Sequence, residues 1–132
     1  DQIRAFFSGF TGSAGTLVVT LDKAGLWTDS RYYLQAEEQL QGSSIALFKA
    51  GMPDVPTYVD WLMQQVGDGV VVANAFLFSH NTWQEYAAKI RLVHASQFEA
   101  CWENRPALSS RNCWLYKGLS IDAHQKIQKR RD

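Results

Sequence analysis

A chain of 132 residues that is 46% hydrophobic is long enough to build one core and short for two, so one domain is expected. Thirteen basic side chains balance thirteen acidic ones, which leaves no net field to recruit nucleic acid or an anionic membrane. No apolar run approaches the roughly 20 residues of a membrane helix, and Cys101 and Cys113 are too few for a disulfide framework and lack CxxC spacing.

The opening DQIRAFF has neither the basic nor the apolar region of a secretory signal, so with two reduced thiols a soluble, cytoplasmic protein is the expectation. SGFTGSAGT follows, with Gly9, Gly12 and Gly15 at every third residue, and leads into an apolar run over 16–20. That run and a second over 25–28 flank LDKA, which suits a hairpin turn. Tyr33, Ala36 and Leu40 then share a helical face, with Asp29 or Ser30 as the cap. A third strand is predicted over 44–50. GMPDVP breaks the chain, and Thr57 with Asp60 resembles a capping box for a helix burying Tyr58, Trp61, Leu62 and Val66. GVVVA reads as a short strand, and Thr82 with Glu85 as the start of a helix whose face is Trp83, Tyr86, Ala87, Ile90 and Val93. This alternation implies an α/β layer arrangement with a partly parallel sheet and an antiparallel hairpin inside it. Residues 101–117 have little periodicity and suit an excursion or linker; Ser120 could then cap a weakly amphipathic helix ending in Lys129, Arg130 and Arg131.

The glycine loop does not match the chemistry of familiar glycine motifs. GxxGxxG is not the GxGxxG of dinucleotide sites, and it precedes a strand where that fingerprint follows one. No Gly-Lys-Ser/Thr follows to make a phosphate loop, and Ser13 lacks the preceding glycine that a GxSxG nucleophile elbow needs at Thr11. His80, His94 and His124 are scattered and assemble no metal site. Two readings of the loop remain: tight backbone approach to a buried strand, or a bare surface facing a ligand.

RAFFSGFTGSAGTLVVTLDKAGLWTDSRYYLQAEEQL resembles the N-terminal domain of Xaa-Pro aminopeptidases (aminopeptidase P) of the creatinase/prolidase superfamily, in their larger eukaryote-type branch. SGF-x-GSAGT, WTD-[GS]-RY-[FY]-LQA and W-x-x-RP carry the likeness, and FKAGMPDVPTYVDWL and CWENRPALSSR match further segments in order. The resemblance implies an α/β fold in three layers, a mixed six-stranded sheet with helices on both faces related to the ribonuclease-H-like arrangement. It places that domain over 1–116, with 117–132 as a linker or helix leading to a following domain. It further implies a parent metallopeptidase that removes the N-terminal residue preceding proline, with two divalent metals, commonly manganese, in a C-terminal pita-bread domain. The two aspartates, one histidine and two glutamates that hold those metals have no counterpart here, so this chain is expected to be non-catalytic, to restrict access to the active site and to support a homodimer. No catalytic or metal-binding residue is expected within it. Arg31 aligns with a substrate-facing arginine, with Gly12, Ser13 and Gly15 as the loop beside the cleft; a surface ion pair of Arg31 with Asp29 or Glu37 is the competing reading. The family's first helix and strand have no counterpart before Asp1, and the chain is several residues shorter than the family around ASQFEACWENRP and WLYKGLS. The alternative function is a stand-alone binding module of the same fold without enzymatic activity.

Overall fold

The computed structural model describes residues 2–95, 100–107, 110–113, 118 and 121–130. Helix α1, Gln2–Ser8, opens the chain where the sequence pattern announced no element. Gly9 ends it at φ +71, a left-handed conformation, with its amide donating to the Ala5 carbonyl at 2.8 Å.

The predicted hairpin is present. Strands β1, Thr16–Val19, and β2, Ala24–Thr28, pair antiparallel with Thr16 opposite Trp27 and Val19 opposite Ala24. The Thr20 amide closes the turn on the Lys23 carbonyl at 2.8 Å. Strand β3, Ile45–Lys49, joins the other side of β2 in parallel, giving the order β1-β2-β3. As the central strand, β2 is buried almost throughout, as a strand covered on both faces must be.

Alternation along β2 and β3 separates two cores. On one face Leu26 packs with Phe10, Ala36 and Leu40 under helix α2, Tyr33–Gln39. On the other, Trp27 packs with Val18, Trp61 and Leu62 under helix α3, Tyr58–Val66, and stacks on Phe48 at a centroid distance of 4.0 Å. Helices therefore cover both faces of a mixed sheet. The Thr57 hydroxyl caps α3, accepting from the Asp60 amide at 3.1 Å and donating to the Asp60 carboxylate at 2.6 Å.

Beyond α3, strands β4, Val70–Ala73, and β5, Arg91–His94, form a separate parallel pair. Where the resemblance implies one six-stranded sheet, the described residues form five strands in two sheets. Two local expectations are corrected here. Helix α4, His80–Ala87, is capped three residues before Thr82: Ser79 is the cap, its hydroxyl accepting from the Thr82 amide at 3.1 Å. Ile90 and Val93 lie beyond its end, with Val93 in β5, and Trp83 is only half-buried. The cause is that SHNT offers several cap-competent residues in a row, and a spacing of three between Ile90 and Val93 fits a strand entry as well as a helix. Helix α5, Ala123–Gln128, is capped by Asp122, which accepts from the Gln125 amide at 3.0 Å; Ser120, the expected cap, and the boundary at 116/117 lie outside the described residues.

Candidate functional site

The glycine loop is a lid on the first core. Phe10 is fully buried, and its ring lies under Gly12 so closely that a Cβ added at Gly12 would overlap it; at Gly15 an added Cβ would stand 3.1 Å from both Phe10 Cε1 and the Trp27 carbonyl. The close approach that these glycines permit is made by the chain's own aromatic ring. Arg4, which no sequence pattern singled out, holds the loop from α1: its guanidinium donates to the Gly15 carbonyl at 2.7 Å and to the Gly12 carbonyl, and its Cζ lies 5.5 Å from the Phe10 ring centroid. Partial burial lowers its pKa from the ordinary arginine value. From α2, Gln39 accepts from the Thr11 amide at 2.9 Å and returns a bond to the Thr11 hydroxyl at 2.9 Å.

The far side of the loop meets the start of α2. The Ser13 hydroxyl shares a 2.6 Å hydrogen bond with the Tyr32 phenol, which lowers the pKa of that phenol. Asp29 caps the 3-10 turn Ser30–Tyr32 by accepting from the Arg31 amide at 3.1 Å. Its carboxylate also takes Arg31 Nε at 2.9 Å and Nη2 at 2.7 Å, a two-pronged contact. These bonds draw the Asp29 pKa below the ordinary carboxylate range and raise that of Arg31. Arg31 remains 67% exposed, with its Cζ 5.3 Å from the Tyr32 ring centroid. Glu37, the other partner considered for Arg31, pairs instead with Lys49 at 2.5 Å.

Between Asp29 and α3 opens a cleft of about 300 Å³ at the C-terminal ends of the parallel strands β2 and β3, the place where α/β sheets commonly bind ligands. Trp27, Val55, Pro56 and Tyr58 form its apolar walls, and Gly15 and Asp29 its rim. The structure thus sets Gly15 and Asp29 at one rim with Arg31 bonded to Asp29, buries Gly12 over Phe10, and leaves Ser13 exposed on Tyr32. Among the described residues no three His, Cys, Asp or Glu side chains gather as metal ligands, so the donors present there do not fit a metal centre.

Residues 2–101 match the Creatinase/Prolidase N-terminal domain family, well over half of the chain. The chain belongs to that family. This creatinase/prolidase N-terminal domain is 42% identical over 132 residues to Aminopeptidase P2 of Arabidopsis thaliana, an alignment covering 89% of the chain and 18% of that protein. It is 45% identical over 92 residues to Xaa-Pro aminopeptidase 2 of Rattus norvegicus, covering 69% of the chain and 13% of the relative. Among solved structures, the X-prolyl aminopeptidase from Caenorhabditis elegans, described as a cytosolic enzyme with a di-nuclear active site, matches with a TM-score of 0.74 and 35% identity over 81% of the chain and 19% of its own. The N-terminal domain of the peptidase PepQ from Mycobacterium tuberculosis H37Rv, at 24% identity and a TM-score of 0.54, shares the fold over 76% of this chain and 79% of its own. The chain therefore spans under a fifth of the length of each of these three aminopeptidases. Among the described residues, no helix is long and apolar enough to cross a membrane.

Proposed function

We propose that this chain is the non-catalytic N-terminal domain of an Xaa-Pro aminopeptidase, a metallopeptidase that releases the residue preceding proline. The observation carrying this reading is the 42% identity to an aminopeptidase P across 89% of the chain. In it, residues 1–116 are the domain and 117–132 lead to a pita-bread catalytic domain that holds two divalent metals, manganese in the first instance. The metals would polarise the scissile carbonyl and activate water there; the residues of this chain bind and shape access. The domain restricts entry to the active site, supports a homodimer in the cytoplasm, and turns Arg31 toward the peptide, beside the loop of Gly12, Ser13 and Gly15. Strong exposure of Phe76 and Leu77, in the 3-10 turn that follows β4, supports a surface that the rest of a larger protein covers.

The test is direct. The purified 132-residue chain should release no N-terminal residue from Xaa-Pro peptides with manganese or any other divalent metal added, while the full-length protein should do so and stop on chelation. Metal-dependent release by the chain alone would overturn the assignment of catalysis to the following domain, and an inactive, metal-loaded full-length protein would overturn the activity.

A further inference from the structure

Asp29 does more for Arg31 than local folding requires. To cap the 3-10 turn it needs one oxygen for the Arg31 amide, yet both of its carboxylate oxygens are also engaged by the guanidinium, Oδ1 by Nε and Oδ2 by Nη2. An exposed pair two residues apart adds little to stability in water. Its effect is on direction. The Nε–Nη2 edge is fixed by Asp29, one guanidinium face lies against the Tyr32 ring, and Tyr32 is itself pinned by Ser13 at 2.6 Å. A side chain with four rotatable bonds is thereby held in one orientation and still largely exposed, with the Nη1–Nη2 edge left outside the two-pronged contact to Asp29, which itself lines the cleft. That edge presents two parallel N–H donors, the geometry that suits a carboxylate or a peptide carbonyl.

We propose that Asp29 is a positioning residue that aims the open edge of Arg31 at a backbone carbonyl or terminal carboxylate of a bound peptide, beyond the bond to be cut. This rests on reading the chain as part of an Xaa-Pro aminopeptidase. Holding the donors in place beforehand removes an ordering cost that a free arginine would meet on binding.

Asp29→Asn separates aiming from folding, because asparagine caps as well as aspartate but cannot make the two-pronged anionic contact. The experiment uses the full-length protein and titrates two non-hydrolysable Xaa-Pro ligands, a dipeptide and a longer peptide, by calorimetry. Binding is read without turnover, so a full-length protein that cleaves nothing would refute the proposed activity and leave this test intact. Asp29→Asn should weaken the longer peptide about tenfold and leave the dipeptide within about twofold. Arg31→Ala should do the same, and the double variant should bind no worse than Arg31→Ala, since Asp29 acts through Arg31. Arg31→Lys should recover only part of the loss, because a point charge lacks the planar fork. The inference is overturned if Asp29→Asn binds the longer peptide like wild type, if the two losses multiply, if the wild type binds neither peptide, or if both peptides weaken equally alongside a lowered melting temperature.

Discussion

Replacing Gly12 by alanine tests what the bare loop is for. The three atoms nearest to a Cβ at this position are all carbons of the Phe10 ring, and the added methyl would overlap it. The ring cannot retreat, because Phe10 is fully buried against Leu26, Ala36 and Leu40. Overpacking of this kind costs about 1–3 kcal/mol. Alanine also narrows the unfolded ensemble and returns about 0.4–1 kcal/mol, so a net loss of about 1–2 kcal/mol is expected. The same substitution in a Phe10→Leu background should cost less than about 0.5 kcal/mol, since the shorter side chain vacates the contested space. Gly42→Ala is the control: its φ is +75 with nothing within 4 Å, so its cost of about 1–2 kcal/mol comes from backbone alone and should not depend on residue 10. Urea unfolding of the four Phe10/Gly12 combinations measures the coupling. An equal cost of Gly12→Ala in both backgrounds would refute packing on Phe10 as the reason for the glycine.

Trp61→Ala should cost about 3–5 kcal/mol because the indole is buried against Trp27 and Phe48, whereas Trp83→Ala, at a half-buried position, should cost about 1–2 kcal/mol; denaturation midpoints in the reverse order would contradict the assignment of the second core. Burial first, and its 2.5 Å hydrogen bond to Tyr86 second, push the Tyr58 phenol well above its ordinary pKa. A raised folded-state pKa means that the stabilisation is whole below the unfolded value of about 10 and is lost as pH rises beyond it. Melting temperatures should therefore fall more steeply above about pH 10 in wild type than in Tyr58→Phe; parallel curves would show that Tyr58 does not report on alkaline unfolding.

The hairpin, β3 and α3 were legible in the sequence because their signals are local: two apolar runs around LDKA, and a threonine hydroxyl three residues from an aspartate. Those that escaped depend on contacts distant along the chain. Helix α1 is seven residues long with two phenylalanines still substantially exposed, and what anchors it is Arg4 reaching carbonyls 8 and 11 residues away. Spacing alone left open whether the glycines admit a ligand or a neighbouring surface; the position of the Phe10 ring, set by the packing of α2 on β2, decides it for Gly12. At Arg31 the sequence offered a surface ion pair with either Asp29 or Glu37. The 3-10 turn brings the first into register, and Lys49 at the end of β3 takes the second.

The end of β2 explains why so many of these contacts meet at one place. Three successive residues of that strand and its exit each hold a different element. Trp27 Nε1 donates to the Pro56 carbonyl at 2.8 Å and fixes the lead-in to α3; the Thr28 hydroxyl donates to the Ala14 carbonyl at 2.7 Å and fixes the glycine loop; Asp29 fixes Arg31. Trp27 and Thr28 are buried and Asp29 only partly so, so the chain passes from core to rim within three residues. The rigidity of the rim follows from this descent. Moving Asp29 would require moving a strand end whose neighbouring side chains are packed in the second core and bonded to the loop, so the guanidinium inherits its direction from the core. An exposed arginine is ordinarily one of the least ordered side chains on a protein. Here its placement is determined by the packing of a tryptophan two residues inside the β-strand.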